Sequence, residues 1–360
     1  MLPTTILIGS RLGYDTLCQT YFKAGLAADV GMFGTGFDSD FYRTASNFTG
    51  STAGDLLKFE AIEPNTLNVI TGMTADRFQY TTQDLHGTLI PATGFIGMPY
   101  TSFRPDPIFA GCPPTITTDL YNYHSWSLLI EDGYAVVAPD CAGLGHNATL
   151  HEYLSFPAHA NNLYYPMVAA LKARGGGAVW KLSRSELVKT RGAREYLGTV
   201  ALGPASSIYD IDTMQATMSP TKPSACRLAL KRVIPWIDLS FFSDTFLQRV
   251  QIAELAQACY YSIMSLGYGL TPSEIIINTS ALVNNVPFQA WQNATASANG
   301  STAETPMLIV QGLNDTAVLP EITLHMSLYA DMDHTDVLTA SSPEWLVTEV
   351  ESSEVIKSLM

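Results

Sequence analysis

Three short apolar runs constrain the fold of this chain of 360 residues more than anything else in it. They are Gly133-Tyr-Ala-Val-Val-Ala-Pro-Asp140, Gly198-Thr-Val-Ala-Leu-Gly203 and Pro306-Met-Leu-Ile-Val-Gln-Gly312. Each is bounded by Gly or Pro and is too short for a typical helix. A continuous apolar run of that length is the mark of a strand buried on both faces, as in a parallel sheet covered by helices. Helical spacing precedes the first run, from Thr118 to Glu131 with Leu120, Tyr123, Ser127-Leu128 and Ile130, and follows it from Thr149 to Arg174. Strands alternating with helices predict an α/β fold with a mostly parallel sheet. Upstream, Leu56 to Ala61, Thr66 to Tyr80 and Gly87 to Phe95 are punctuated by Pro and Gly and read as a β-meander. Residues 1–45 are Gly-rich with little periodicity and are expected to be irregular. Residues 205–300 are mostly helical in pattern, notably Cys226 to Leu266, and carry no buried-strand signal. They are expected to form a helical cap inserted into a core of residues 46–204 and 301–360.

Charge narrows the partners. With 33 acidic and 19 basic residues the net charge is -14. Nucleic acid and anionic membranes are held by Lys and Arg, so neither is an expected partner. No apolar run reaches the ~20 residues of a membrane-spanning helix, so no transmembrane segment is expected. Only 14% of residues are charged and 10% are aromatic, which favours a packed core over disorder. Six of thirteen asparagines stand in N-x-[ST] sequons: Asn47, Asn147, Asn278, Asn293, Asn299 and Asn314. Chance would give roughly two or three. The excess points to an extracellular, glycosylated chain, although a Ser/Thr-rich composition also generates sequons. The opening Met1-Leu-Pro-Thr-Thr-Ile-Leu-Ile-Gly9 has no basic residue, so a signal peptide is not evident. The five cysteines contain no C-x-x-C, which argues against a zinc or thioredoxin-type site. No metal or other cofactor is expected, and cysteine pairing and oligomeric state stay open.

In parallel sheets reactive groups gather beyond the C-terminal ends of strands. Asp140 and Gly143 follow the first buried run and are candidate substrate-binding positions. Asp315 follows the last one; it could orient a histidine, or equally serve as an Asx-turn or helix N-cap ahead of Thr316. His334 stands among Asp331, Asp333 and Asp336. Those carboxylates would raise its pKa and hold it, though a surface histidine among acids looks the same.

The stretches Tyr123-His-Ser-Trp-Ser-Leu-Leu-Ile-Glu-Asp-Gly-Tyr-Ala-Val-Val-Ala-Pro-Asp140, Gly143-Leu-Gly145, Tyr196-Leu-Gly-Thr-Val200, Gln311-Gly-Leu-Asn-Asp-Thr-Ala-Val318 and Asp333-His334 carry a resemblance. Over roughly Asn47 to Leu346 the chain resembles the secreted fungal lipase/esterase family of α/β-hydrolases, which includes Candida-type secretory lipases. The resemblance implies a hydrolase core, a helical cap over an acyl site, and Asp315 and His334 as two members of a Ser–His–Asp triad.

The third member is missing. Such enzymes present their serine on a G-x-S-x-G elbow between a strand and a helix. The corresponding stretch here is Leu171-Lys-Ala-Arg174-Gly175-Gly176-Gly177-Ala178-Val179-Trp180. Gly175, Gly176 and Gly177 look like the elbow's remnant, without the serine and without the preceding apolar strand. Substitutes fit poorly. Thr52 centres Gly50-Ser-Thr-Ala-Gly54 but precedes the strands, Ser125 lies in a helical stretch, and Ser206 lacks a second glycine. The His-Gly loop that gives the family an oxyanion donor is replaced by Tyr100-Thr-Ser-Phe-Arg104-Pro105-Asp106-Pro107. Only nineteen positions separate Asp315 from His334, short for a helix plus a strand. In all three places the flanks match and the middle is gone, the pattern of excised segments, as from a faulty gene model or splice form. The expected function is therefore a lipase- or esterase-like hydrolase acting on a small or lipid ester, impaired as the chain stands. An inactive homologue with a binding role, or a peptidase on the same fold, is the alternative.

Overall fold

The computed structural model describes residues 16–33, 38–62, 72–100, 108–110, 130–131, 135–145, 149–152, 155–169, 199–202, 204, 206–207, 209, 230–231, 233–256, 260–297, 307–312, 320 and 327–329. The helices described are α1 (Thr16–Phe33), α2 (Ser39–Tyr42), α3 (Phe156–Ala169), α4 (Asp244–Ala256), α5 (Tyr260–Met264), α6 (Pro272–Ile275), α7 (Thr279–Val283) and α8 (Val286–Thr295). The strands are β1 (Leu56–Ile62), β2 (Met73–Gln83), β3 (Leu89–Pro99), β4 (Ile108–Ala110), β5 (Ala135–Pro139), β6 (Thr199–Leu202), β7 (Met307–Gly312) and β8 (Ser327–Tyr329). Two compact units divide the chain, one of Asp38–Ser207 with Thr295–Met360, the other of Met1–Phe37 with Ile208–Ala294.

In the first unit the expected meander forms. β1, β2 and β3 run antiparallel, and β2 and β3 stay in register from Met73 opposite Pro99 to Gln83 opposite Leu89. Their connection closes because Asp84 accepts the backbone N–H groups of His86 and Thr88, both at 2.8 Å, while Gly87 adopts φ 82°. A side chain at that φ would be strained.

The run at Val136–Pro139 is buried as its composition predicts. It has cover because α3 packs on both β2 and β5. Phe78, Tyr80, Ala92, Ile96, Val137 and Ala142 form one buried apolar cluster here. The seam with α3 also has a polar thread with a physical cause. Pro166 inside α3 has no N–H, which leaves the carbonyl four residues earlier, on Asn162, without its helical donor. The Tyr80 hydroxyl donates to that carbonyl at 3.0 Å, and Thr82 Oγ1 donates to Asn162 Oδ1 at 3.2 Å. The helix tolerates its proline because the sheet supplies the missing donor.

Sheet direction corrects the expectation of a mostly parallel sheet. The strand order β1-β2-β3-β5-β4 is antiparallel until the final β5–β4 pair, and β5 lies antiparallel to β3. Short hairpin connections can only join antiparallel neighbours, so the meander imposes its own direction. The second sheet, β6-β7-β8, is wholly parallel. β8, a strand of three residues, occupies part of the interval between Asp315 and His334.

The second unit corrects another expectation. Residues 16–33 are not irregular but a helix of eighteen residues. Its buried face is Cys18, Phe22, Gly25 and Asp29, spaced as on one side of a helix. Only two of those four are conventional hydrophobes, so the stripe is invisible to apolar periodicity. The face packs on α5 and on the 3-10 turn Ser265–Gly267. Asp29 there accepts the backbone N–H of Ser262 at 3.0 Å and the Ser262 hydroxyl. Nearby, the buried Arg249 donates to the carbonyls of Leu266 at 2.9 Å and Tyr268 at 2.8 Å. Among the described residues no helix is long and apolar enough to cross a membrane.

Candidate active site

The described part of the candidate site is the turn that follows β5. Asp140 is tied to β3 twice: its N–H donates to the Thr93 carbonyl at 2.7 Å, and the Thr93 hydroxyl donates to its Oδ2. Both residues are buried. A carboxylate so enclosed anchors the end of one strand to its neighbour. The chain then turns tightly, with Leu144 N–H donating to the Cys141 carbonyl at 3.1 Å. Gly143 adopts φ 88°, and a Cβ there would lie 2.3 Å from the backbone nitrogen of His151. Both conformation and space demand glycine at this point. Gly145, at φ 68°, is likewise closed off, 2.6 Å from the Tyr42 ring.

His151 completes the turn. Its Nδ1 lies 3.1 Å from the Ala142 carbonyl. A carbonyl only accepts, so this contact places the proton on Nδ1. The ring stacks on that of His159, with centroids 5.7 Å apart and planes 7° from parallel. His159 sits in the first turns of α3; the residue keeps some exposure, yet its Nε2 is sealed from solvent and has no hydrogen-bond partner among the described residues. Burial pushes its pKa down to about 3, and the charge of a protonated His151 beside it pushes the same way. Glu152, which accepts the Leu85 N–H at 2.9 Å, is shifted upward, again mainly by burial. Sequence reasoning missed this imidazole pair. The available signal was two of only seven histidines placed within one nine-residue stretch.

The other predicted positions divide plainly. Asp315, His334, Gly175, Gly176 and Gly177 lie outside the described residues. The strands leading to two of them are described. β7 and β8 are parallel neighbours with Gly312 opposite Tyr329, so the chain leaves both strands at the same end of the sheet. Asp315 follows three residues after Gly312, and His334 five residues after Tyr329. Of the substitute nucleophiles, Ser206 is 1% exposed and so is not offered to a substrate. Thr52 is exposed, but its N–H and hydroxyl both go to Asp55 Oδ2, at 2.6 and 3.1 Å, in a turn ahead of β1. Among the described residues no group of three or more His, Cys, Asp or Glu side chains is placed to hold a metal ion.

Comparison with known proteins gives a likeness of fold. No family model matches the chain, and no curated protein matches it in sequence. Solved structures do. The rice cell wall degrading esterase LipA from Xanthomonas oryzae aligns with a TM-score of 0.65 at 16% identity, over 86% of this chain and 99% of that one. Candida antarctica lipase A aligns with a TM-score of 0.61 at 14% identity, over 83% of this chain and 81% of that one. A putative hydrolase from Legionella pneumophila aligns with a TM-score of 0.59 at 15% identity, over 79% of this chain and 95% of that one. The chain thus shares its fold with a lipase, an esterase and a putative hydrolase.

Proposed function

We propose that the chain descends from carboxylic-ester hydrolases of the Ser–His–Asp kind and that, as it stands, it lacks the attacking serine. The observation that carries this reading is the parallel β7–β8 pair, whose common end is followed within a few residues by Asp315 and His334. Its fold, shared with a lipase and an esterase, supports the same conclusion.

In the complete site a serine hydroxyl would attack the acyl carbonyl while His334 takes its proton and then returns it to the leaving alcohol. Asp315 would hold the imidazole in the correct tautomer and stabilise the imidazolium. Backbone N–H groups at the elbow would stabilise the oxyanion. Asp140 and Gly143 would shape the floor of the substrate pocket: Asp140 through its tie to Thr93, Gly143 by letting the chain pass close to His151. Residues 205–300 would supply the cap, with Val233-Ile-Pro-Trp-Ile237 and Leu239-Ser-Phe-Phe242 suited to a medium or long acyl chain. The substrate class is a small or lipid ester met outside the cell.

Hydrolysis of p-nitrophenyl esters together with fluorophosphonate labelling tests this. The present chain should neither turn over nor label. Inserting a strand that ends in Gly-His-Ser-Gln between Arg174 and Gly175 should raise turnover by a factor on the order of a million, the usual worth of a triad nucleophile. In that restored chain Asp315→Asn should lose about four orders of magnitude. Labelling of the present chain would disprove the missing nucleophile. A restored chain that folds but cleaves only amides would make it a peptidase.

A further inference from the structure

Three of the six sequons fall among the described residues, and Asn47, Asn278 and Asn293 are all exposed. The remaining described asparagines behave differently. Asn162 and Asn285 are buried, Asn161 is half-buried and only Asn284 is exposed. Attachment of a glycan needs more than exposure. The amide nitrogen must be open, and the hydroxyl residue two positions on must be presented with it.

Asn278 satisfies both conditions. It is the N-cap of α7, where Oδ1 accepts the Ala281 N–H at 2.9 Å. That bond turns the carbonyl toward the helix and Nδ2 away from it, and Nδ2 makes no hydrogen bond among the described residues. Ser280, its sequon hydroxyl, is exposed. Asn47 is nearly as open. Its Nδ2 spends one proton on the Leu57 carbonyl at 3.4 Å, leaving the other, and Thr49 is exposed. At Asn293 the hydroxyl residue Thr295 is only 5% exposed, so the folded chain does not present that sequon whole.

We propose that Asn47 and Asn278 carry N-linked glycans, and that Asn278 caps α7 while glycosylated. The donor is an oligosaccharide diphosphate. A bond forms between Nδ2 and the sugar C1, the C1–O bond to the diphosphate breaks, and one amide proton is released. Oδ1 takes no part, so the cap survives. The inference rests on the extracellular part of the reading above, not on its hydrolytic part.

The test is expression of the full chain behind an added secretion leader in eukaryotic cells. Glycans are released enzymatically in heavy-oxygen water, which leaves an isotope-marked Asp at each occupied site, and peptides are mapped by mass. Both the exported and the cell-retained fractions are mapped, because transfer precedes export. Marked residues are expected at positions 47 and 278. Thr49→Ala and Ser280→Ala should each remove one glycan. Asn278→Asp should remove the glycan but keep the cap, leaving the unfolding midpoint unchanged. Asn278→Ala should remove both and lower the midpoint by about 2–4 °C. Unmarked Asn278 in chain that has entered the secretory pathway overturns the site, and a midpoint lowered equally by Asp and Ala overturns the cap. A failed hydrolase assay leaves the glycan map unaltered, so the two readings fail separately.

Discussion

The β1–β2–β3 meander and the β6–β7–β8 sheet lie in one compact unit but are specified in opposite ways. The meander pairs neighbours in sequence. β2 and β3 match over eleven positions across a connection of five residues, closed by Asp84 and Gly87. The parallel sheet pairs Thr199 with Met307, over a hundred positions apart, along only four residue pairs. Closing so long an interval costs chain entropy before any pairing is gained. The meander can therefore form from local information, whereas the parallel sheet depends on whatever folds in between. The two triad candidates follow the second kind of sheet, so any damage between Leu202 and Met307 reaches the chemistry before it reaches the meander.

The largest expected effect tests the strength of the meander side. Phe78 is completely buried in its core, and Phe78→Ala should destabilise by about 3–5 kcal/mol, read by denaturant unfolding. A loss below about 1 kcal/mol would mean that this cluster is not the unit's core. Gly143→Ala comes next, at about 2 kcal/mol or more, from a disallowed φ together with a clash against backbone atoms that cannot swing away. Tolerance of alanine there would refute the closed turn after β5. On the parallel side, Ala201 is 0% exposed in β6, and Ala201→Leu should cost about 1–3 kcal/mol by overpacking. The comparison sharpens if both variants are followed by probes of each sheet. One shared transition would show that the two sheets fold as one, and separate midpoints would show that the meander stands alone.

The last effect is set by pH. His159 has a folded pKa of about 3 against 6.5 in the unfolded chain. Between these values the unfolded chain binds a proton that the folded chain refuses, so stability falls as pH is lowered from 6.5 toward 3. The slope is at most about 1.4 kcal/mol per pH unit. Glu152, whose folded pKa is raised, works the other way. Its contribution is present at low pH and is lost as pH rises through its folded pKa. His159→Gln should flatten the acid slope; an unchanged slope would place the acid sensitivity elsewhere.

Much of the core was legible because its signals are local. Val136 to Pro139 read as a buried strand from apolar character alone, whereas Gly87, read as the start of a strand, lies in the turn ahead of it. The helix α1 was not legible, because Asp29 and Gly25 occupy its buried face where a pattern search looks for Leu or Ile. Asp29 is accommodated there with the help of Ser262, 233 positions away. The His151–His159 stack escaped notice for a similar reason. Its meaning comes from a ring geometry and from the Ala142 carbonyl, neither of which leaves a trace in spacing. For the site, Asp315 was singled out by its place after an apolar run and His334 by the carboxylates around it, and both lie outside the described residues; the absence of G-x-S-x-G was legible outright.

By itself the sequence determined where strands and turns can form, the acidic charge that disfavours nucleic acid, and the absence of a G-x-S-x-G motif, because each depends only on residue type and near neighbours. The tertiary structure alone decided that β5 enters between β3 and β4, that Asp140 turns its carboxylate to Thr93, and that β7 and β8 end side by side. Those are pairings between distant segments, and their free energy exists only once the backbone groups and side chains that make them have been brought together.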